Sequence, residues 1–515
     1  MIRELYGRIC AGEDVRANLI ALRQELKTEE NQRKFAYLLG GDFHMLTRLL
    51  QSEDPKVRRN AALILGDMET EDLLPFLFAA YQKEETLFVR TDYLKAMEKL
   101  DYRPYLEKLK SRLETLKSVP MEEENRKHVR QEQVQLQTMI LKLEKPEKHV
   151  FTGYKPAPEV ILMTNRNQRA VTKNQIRTGQ VKELGQGLRI KGGDLKELLK
   201  IRTYSELLFP LPGARALAGK PEEIGAGLAE LGIGEFLEDL HRSGGCFYYR
   251  MEMKGPMAPE KKGDFIRRVS ERLDGLSNGK LWNTATDYEA ELRLLEKKDG
   301  SFLPMLKLYT LPDRRFTYRK ETVAASIAPV NAALTAELAR GYLKEGAQIL
   351  DPFCGVGTML LERNRAVPAG HMYGLDLFGE AIEKARRNTE RDGSIVHYIN
   401  RDFFDFTHSY LFDEIITDMP RSADKTELGI LYARFFDRAQ EFLKEGGIVI
   451  QYTMDPGLTE RELKRRPGFR KKEEYLLNEK NQTKVFIIEK RVEKESGYGE
   501  NSEKRRTTDG GYLGS

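Results

Sequence analysis

The chain has 515 residues, with 85 Lys and Arg against 80 Asp and Glu and a formal net charge of +5. Single hydrophobic cores stop growing near roughly 250–300 residues, so this length predicts two or three domains. Hydrophobic residues at 40% and charged residues at 32% exclude a disordered chain and are typical of a globular protein. The nearly balanced charge does not by itself indicate a polyanionic partner.

No apolar run approaches the roughly 20 residues that a membrane-spanning helix needs, and the first ten residues lack the apolar stretch of a signal peptide. A cytoplasmic protein without a membrane partner is therefore expected. The three cysteines, Cys10, Cys246 and Cys354, are far apart in sequence and have no metal-ligand spacing. Neither a disulfide framework nor a metal site is predicted.

Residues 1–148 have apolar positions spaced three and four apart, which predicts an all-α region. A weak repeat is visible, because residues 54–62 are echoed by residues 87–94, and residues 74–77 by residues 103–106. The pattern resembles HEAT-type helical pairs, which stack into a curved surface suited to a protein partner. Two pairs are fewer than usually stand alone, and an ordinary helical bundle is the alternative.

The segment 117–148 is dense in Glu, Lys, Arg and Gln, which predicts a long exposed spacer helix at the end of the helical region. Residues 149–320 then change to short β-rich runs, such as 160–163 and 246–251. These runs alternate with helical stretches, such as 264–273. An α+β domain is predicted here.

Basic residues cluster in three places. Residues 151–200 hold ten Lys or Arg against four Asp or Glu, and further clusters lie at 314–320 and 464–472. A solvated protein face explains each cluster, taken singly, as well as a polyanionic partner does. Residues 493–515 are polar and Gly-rich without periodicity, which predicts a disordered tail.

Strand and helix patterns alternate strictly in residues 321–492, which predicts a doubly wound α/β domain of the Rossmann-like type. Two further runs before the tail, 470–477 and 485–490, predict an antiparallel hairpin at the end of the sheet. The predicted parallel strands are residues 348–351, 371–375, 396–398, 413–417 and 448–452.

A turn with the sequence DPFCGVGT, residues 351–358, follows the first of these strands. Glycines at such a turn let the backbone approach a ligand closely, and ligands of open α/β sheets bind outside the carboxyl ends of the strands. The next two strands lead to Asp376 and to Asp402-Phe403, whose carboxylates could accept from ribose hydroxyls and an adenine amino group. One acid alone could be a helix cap, but three at strand ends predict a nucleotide pocket.

These residues resemble the S-adenosyl-L-methionine-binding motif of RNA methyltransferases that carry a THUMP domain, a family that acts on guanosine N2 in tRNA and on large-subunit rRNA. The resemblance is specific over residues 315–490 and looser over residues 149–320, where it implies a THUMP-like module that grips RNA. Supporting matches are Tyr318-Arg319-Lys320, residues 325–329 and Thr417-Asp418-Met419-Pro420, with looser ones at residues 198–202, 247–251 and 283–292.

The resemblance implies a class I methyltransferase that uses S-adenosyl-L-methionine on tRNA or rRNA. Cys354 is a pocket residue by this resemblance, with no reason to treat it as a nucleophile. The residues assigned to the cofactor are Asp351, Phe353, Cys354, Gly355, Gly357, Thr358, Asp376, Leu377, Asp402 and Phe403.

Asp418 to Pro420 correspond to the family's catalytic motif, in which Asp or Asn is followed by a variable residue, Pro and an aromatic. An exocyclic amine is a poor nucleophile, so a carboxylate and a backbone carbonyl that accept its two N–H bonds would aim it at a sulfonium methyl. Asp418 and Pro420 are therefore the catalytic candidates. Met419, Arg421 and Ser326 are predicted to contact the substrate.

Arg421 departs from the family, because it stands where an aromatic normally stacks on the target base. A guanidinium plane can also stack on bases. Phe403, Phe404 or Phe406 could supply the missing ring, although Phe residues near strand ends more often belong to the core.

Several other functions stay open. An NAD-type Rossmann domain would need a third glycine where this chain has Leu360. Amines of DNA bases or of protein side chains are alternative substrates, because related catalytic motifs serve them. A non-enzymatic RNA-binding scaffold is the alternative from a different class, since Arg421 could mark lost catalysis.

Overall fold

The computed structural model of the protein describes residues 1–118, 125–144, 147–213, 215–242 and 244–492. The predicted disordered tail, 493–515, lies outside the described residues. The chain divides into two compact units, one of residues Met1–Lys148 and one that begins at His149. None of the described helices is long and apolar enough to cross a membrane.

The first unit is all-α over its described residues, as the apolar spacing predicted. Asp54 shows how its helices begin, because its carboxylate accepts a hydrogen bond from the Lys56 N–H and Pro55 follows at the first helical position. The helices are α1 Ile2–Ala11, α2 Val15–Glu25, α3 Glu29–Leu39, α4 His44–Leu49, α5 Pro55–Asp67, α6 Leu74–Lys83, α7 Leu87–Met97, α8 Leu106–Ser118 and α9 Arg126–Leu143.

The predicted exposed spacer helix is wrong over the described part of 117–148. Helix α9 buries Leu136 and Met139 in the same hydrophobic core as the preceding helices. Its Glu132 is also fully buried and accepts hydrogen bonds from Tyr81 at 2.7 Å and Arg112 at 2.9 Å. Glu132, one of the charged residues that indicated exposure, is therefore buried and hydrogen-bonded inside the helical unit.

The second unit begins with a mixed eight-stranded sheet in the order β2-β3-β1-β4-β8-β7-β5-β6. Strand β5 runs parallel to β6 and β7, and the other pairs are antiparallel. The predicted α+β class is confirmed. The elements are β1 Val160–Thr164, α10 Arg169–Lys173, β2 Gln180–Glu183, β3 Gly187–Lys191, α11 Leu195–Leu198, β4 Tyr204–Pro210, α12 Pro221–Glu230, α13 Ile233–Leu240, β5 Phe247–Lys254, α14 Pro259–Leu276, β6 Leu281–Asn283, β7 Ala290–Glu296 and β8 Phe302–Leu308.

The same unit continues into a seven-stranded sheet in the order β11-β10-β9-β12-β13-β15-β14. The first five are parallel, and β15 pairs antiparallel with both β13 and β14. The predicted doubly wound fold with a terminal hairpin is thus confirmed. Its elements are α15 Pro329–Ala339, β9 Gln348–Asp351, α16 Thr358–Ala366, β10 His371–Asp376, α17 Gly379–Asp392, β11 His397–Asn400, β12 Phe412–Asp418, α18 Lys425–Phe442, β13 Leu443–Thr453, α19 Pro456–Arg465, β14 Phe469–Asn478 and β15 Thr483–Lys490.

Two buried ion pairs fix helix α16, which follows the glycine turn. Arg363 donates two hydrogen bonds of 2.7 Å to Glu414 of β12, and neither side chain is exposed. Glu362 accepts from Arg202, which precedes β4, at 2.7 Å and from Tyr318 at 2.6 Å. Loss of one partner would leave an unpaired buried charge, so both pairs hold α16 against the two sheets.

Candidate active site

A cavity of about 830 Å³ opens at the carboxyl ends of β9, β10 and β12. This is the edge at which ligands of open α/β sheets bind. Every predicted site residue except Gly357 lines it. These residues are Ser326, Asp351, Phe353, Cys354, Gly355, Thr358, Asp376, Leu377, Asp402, Phe403, Asp418, Met419, Pro420 and Arg421.

Asp351 ends strand β9 and is almost completely buried. Its carboxylate accepts a hydrogen bond from the Phe353 N–H at 3.1 Å, which closes the first turn of the loop. Burial raises the pKa of Asp351 to about 8, with a further contribution from the charges of Asp418 and Asp376. Asp351 is therefore largely protonated at neutral pH, which limits repulsion among the acids of the cavity.

Asp376 ends strand β10 and holds the glycine turn. One carboxylate oxygen accepts from the Gly355 N–H at 2.9 Å, and the other accepts from the Phe378 N–H at 2.9 Å. Gly355 has φ +52°, and a Cβ added there would meet no atom within 4 Å. Its missing side chain therefore leaves open space on the cavity wall.

Gly357 does not line the cavity, although it was predicted to contact the cofactor. It is the N-cap of α16 with φ +81°, and a Cβ there would lie 2.0 Å from the Tyr398 hydroxyl. The positive φ and the closeness of Tyr398 on β11 both favour glycine here, and the cofactor contact of Gly357 stays a prediction.

The third acid lies beyond its strand. Strand β11 ends at Asn400. Asp402 comes just before a short 3₁₀ turn, Phe403–Asp405, and its carboxylate caps this turn by accepting a hydrogen bond from the Phe404 N–H at 2.9 Å. The carboxylate lines the cavity from this position. The prediction that Asp402 ends the strand is wrong by two residues, because β11 ends at Asn400.

Of the three rings considered as replacements for the missing aromatic, Phe403 and Phe406 are buried in the hydrophobic core. Phe404 is only partly buried and lines the cavity, with the Arg434 guanidinium 3.8 Å from its ring centroid. Phe403 also lines the cavity, but it is almost completely buried, so Phe404 is the more accessible of the two rings at the cavity.

Asp418 ends strand β12, and the turn after it is anchored to β13. The Met419 N–H donates to the Tyr452 carbonyl at 2.9 Å, and the Met419 side chain is buried. Burial raises the pKa of Asp418 to about 6, although Arg421 opposes the shift. Arg421 donates to the two Asp418 oxygens at 3.2 and 3.5 Å.

Sequence reasoning missed how the segment 321–328 is held over the cavity. Arg319 donates to the Thr358 hydroxyl at 2.9 Å and to the Ile327 carbonyl at 3.0 Å. The Ser326 hydroxyl accepts from the Val323 N–H at 2.9 Å. The hydrogen bond from Arg319 to Thr358 spans 39 residues, so no local sequence pattern indicates it.

Two exposed apolar side chains lie at the cavity rim, and of these Leu377 was predicted to contact the cofactor whereas Phe378 was not. Leu377 is 64% exposed and Phe378 is 70% exposed, and both line the cavity directly after Asp376. Large apolar side chains at the mouth of a cavity suit a flat ligand such as a base. An aromatic residue next to a strand-end acid was the signal that could have identified Phe378.

The residues present fit an adenosine-bearing group. Asp376 lies at the glycine turn to accept from ribose hydroxyls, the Gly355 position is open, and apolar walls flank both. The volume lies within the range of small-molecule sites. Across the described ranges, His, Cys, Asp and Glu side chains form no group of three suited to a metal ion.

Comparisons with known proteins agree with this architecture. Residues 319–484 match the model of the RMKL-like, methyltransferase domain, and residues 44–118 match HEAT repeats. The crystal structure of TrmN from Thermus thermophilus aligns with a TM-score of 0.50 and 22% identity, over 64% of this chain and 99% of that one. The C-terminal domain has the methyltransferase fold.

Two curated relatives match shorter parts of the chain. The tRNA (guanine(10)-N2)-dimethyltransferase of Methanothermobacter thermautotrophicus is 32% identical over 112 residues, 21% of this chain and 33% of that protein. The tRNA (guanine(6)-N2)-methyltransferase of Thermus thermophilus is 30% identical over 184 residues, 34% of this chain and 53% of that protein. The chain therefore spans between a third and about half of these relatives.

Proposed function

We propose that the chain is an S-adenosyl-L-methionine-dependent methyltransferase that methylates the exocyclic N2 of a guanosine in tRNA. The observation that carries the proposal is that the glycine turn and four aspartates, Asp351, Asp376, Asp402 and Asp418, line one cavity in a domain that matches methyltransferases. The assigned cofactor and catalytic roles of these residues are part of the proposal.

The cofactor would lie against the glycine turn, with its ribose at Asp376 and its adenine between Asp402 and the apolar rim. When bound, it supplies an electrophilic methyl group on a sulfonium. Leu377 and Phe378 are exposed at this rim, so they can pack on a ring without rearrangement of the core. Gly355 gives the backbone room for this approach.

Asp418 would act on the substrate amine. As an anion it accepts an N–H of the amine, aims the nitrogen lone pair and takes the proton that the nitrogen must lose on methylation. The Pro420 position provides a carbonyl in the same turn for the second N–H. Because burial raises the pKa of Asp418 to about 6, its anionic form dominates at neutral pH.

Two observations support RNA as the substrate. Both curated relatives are named for N2 of a tRNA guanine. A second cavity, of about 710 Å³, is lined by six basic side chains and no carboxylate, and such a site suits phosphates. Its basic residues are Lys196, Lys200, Arg202, Arg314, Arg315 and Arg365.

We also propose that residues 149–320 form a THUMP-like RNA-binding module and that the helical unit offers a surface to a protein partner. The basic cavity next to β4 supports the first assignment, and the match to HEAT repeats supports the second. In this proposal rRNA is the second choice of substrate, and the protein acts in the cytoplasm.

The proposal is tested by methyl transfer from labelled S-adenosyl-L-methionine onto tRNA from cells that lack the gene, followed by nucleoside analysis. Label in N2-methylguanosine is the expected result. Label in rRNA would retain the chemistry and change the RNA, and label only in adenine, cytosine or protein would overturn the guanine assignment. Cofactor binding without label in any acceptor would favour the RNA-binding scaffold.

A further inference from the structure

Arg421 and Asp418 form an ion pair at the rim of the cavity. The Arg421 Nη2 atom lies 3.2 Å from Asp418 Oδ2 and 3.5 Å from Oδ1. The Asp418 side chain is 14% exposed and the Arg421 side chain is 42% exposed. The guanidinium therefore lies on the solvent side of a nearly buried carboxylate.

Within the described part of the chain, Asp418 is the carboxylate that Arg421 contacts. The nearby Asp424 carboxylate is already used, because it accepts from the Thr426 and Glu427 N–H groups as the N-cap of α18. The anchored Met419 also fixes the turn between the two paired residues. The pair thus follows from the turn itself and not from a chance surface contact.

The other ionisable groups that interact with Asp418 carry no positive charge. Asp351 at the end of β9 is an acid, and Tyr432 of α18 and Tyr452 of β13 are phenols whose pKa values burial raises. Arg421 is the basic group that opposes the effect of burial on the pKa of Asp418. The other charged residues that line the cavity are Asp376, Glu380, Arg401 and Asp402.

We propose that Arg421 is a positioning residue for Asp418. The Arg421 guanidinium keeps the carboxylate anionic near neutral pH and orients its two oxygens, which retain lone pairs that can accept the substrate amine. This inference rests on the proposed function. It gives a positive role to the residue that replaces the family's aromatic, since a ring would offer stacking but no charge.

The test compares Arg421→Met, which removes the charge, with Arg421→Lys, which keeps it. Arg340→Met is the matched control, because Arg340 also pairs with a carboxylate three residues earlier, Glu337 at 2.7 Å, and lies away from the cavity. The measurement is the pH profile of kcat/KM for methyl transfer to tRNA.

The acid limb of Arg421→Met should move to higher pH by about one unit, so that the activity falls about fivefold at pH 6 and recovers near pH 8. Arg421→Lys should keep the limb close to that of the wild type, and Arg340→Met should not move it. A loss of activity in Arg421→Met that is equal at every pH would overturn the proposal, since it would indicate a purely structural or stacking role.

A second measurement needs no enzymatic activity, so that failure of the proposed function and failure of this inference can be told apart. Thermal unfolding is followed from pH 5 to 8 for two pairs of proteins. The first pair is the wild type and Asp418→Asn, and the second is Arg421→Met and the double variant Arg421→Met/Asp418→Asn. Because the pKa of Asp418 is raised in the folded protein, ionisation of Asp418 lowers the stability of that protein. The stability of the Asn protein relative to the Asp protein therefore grows with pH and levels off above the folded-state pKa.

In the pair that retains Arg421, the stability difference between the Asn and Asp proteins should level off near pH 6. In the pair that carries Arg421→Met, this difference should continue to grow at higher pH. If both series level off at the same pH, Arg421 does not control the ionisation of Asp418 and the inference fails, whatever the methyl-transfer assay shows.

Discussion

Glu84 in the helical unit and Asp418 at the cavity are both nearly buried carboxylates that face an arginine, but their surroundings differ. Arg58 donates to both Glu84 oxygens at 2.7 and 2.8 Å, and the Thr86 N–H donates at 2.8 Å. Burial would raise the pKa of Glu84, yet these hydrogen bonds bring it below its ordinary value. Asp418 has only longer contacts from Arg421, and its pKa is raised to about 6.

Under the proposed function, the difference separates a structural acid from a catalytic one. Glu84 has its hydrogen bonds satisfied by its own chain, so it contributes to the stability of the helical unit. The Asp418 oxygens retain lone pairs that face the cavity. Burying a carboxylate with so few hydrogen bonds lowers the stability of the protein, but the carboxylate can then accept a hydrogen bond from a ligand. Such under-satisfied buried acids are what a catalytic site needs.

The largest expected effect comes from a change at the cavity that leaves the helical unit alone. Gly355→Val should weaken S-adenosyl-L-methionine binding by more than about 100-fold, because a branched side chain would enter the cavity at a positive φ that alone costs roughly 1–3 kcal/mol. Calorimetry measures the affinity, and circular dichroism checks that the helices remain. Undiminished affinity would contradict the pocket assignment.

Isosteric neutralisation of the two acids should change stability in opposite directions. Glu84→Gln should lower the free energy of unfolding by about 1–3 kcal/mol, since it weakens hydrogen bonds to a charged group. Asp418→Asn should raise it at pH 7.5, by up to about 3 kcal/mol, because ionised Asp418 is penalised by burial. Urea unfolding measures both, and two changes of the same sign would remove the distinction between the acids.

The activity of the wild-type protein should depend on the ionisation of Asp418. Below about pH 6, kcat/KM should fall about tenfold for each pH unit, because the protonated carboxyl cannot accept the amine N–H. The profile is measured with tRNA under conditions in which the protein stays folded. A flat profile from pH 5 to 8 would show that Asp418 does not act as an anion.

The smallest expected effect concerns the second cavity. Among the described residues Arg314 has no carboxylate partner, unlike Arg202 and Arg315, so it is free to contact a phosphate. Arg314→Gln should weaken tRNA binding a few-fold and reduce the slope of log affinity against log salt by about 1. An unchanged slope would exclude a phosphate contact at Arg314.

The parallel sheet could be predicted because its strands are short apolar runs separated by helical patterns, and Asp351, Asp376 and Asp418 could be placed at the strand ends that face one edge. The position of Asp402 could not, because the end of β11 depends on pairing with β10 rather than on local composition. The same limit applies to the hydrogen bond from Arg319 to Thr358, which lies 39 residues away in sequence.

Helix α9 shows a different limit. Its Glu and Gln residues predicted an exposed surface, but Glu132 is satisfied by Tyr81 and Arg112, which come from two other helices. The composition of a segment indicates burial only when its buried side chains are apolar. A buried polar side chain whose partners come from other helices therefore cannot be recognised from its own segment. The closeness of Gly357 to Tyr398 could not be predicted either, because Tyr398 comes from a different strand, β11.

The central claim is that one cavity binds the methyl donor and that Asp418 acts on the amine. The most direct test measures S-adenosyl-L-methionine affinity and methyl transfer to tRNA on the same samples of wild type and Asp418→Ala. The account predicts similar affinities and at least a 100-fold loss of transfer, roughly the effect of removing one preorganised polar group. Undetectable binding by the wild type, or transfer that persists in Asp418→Ala, would contradict it.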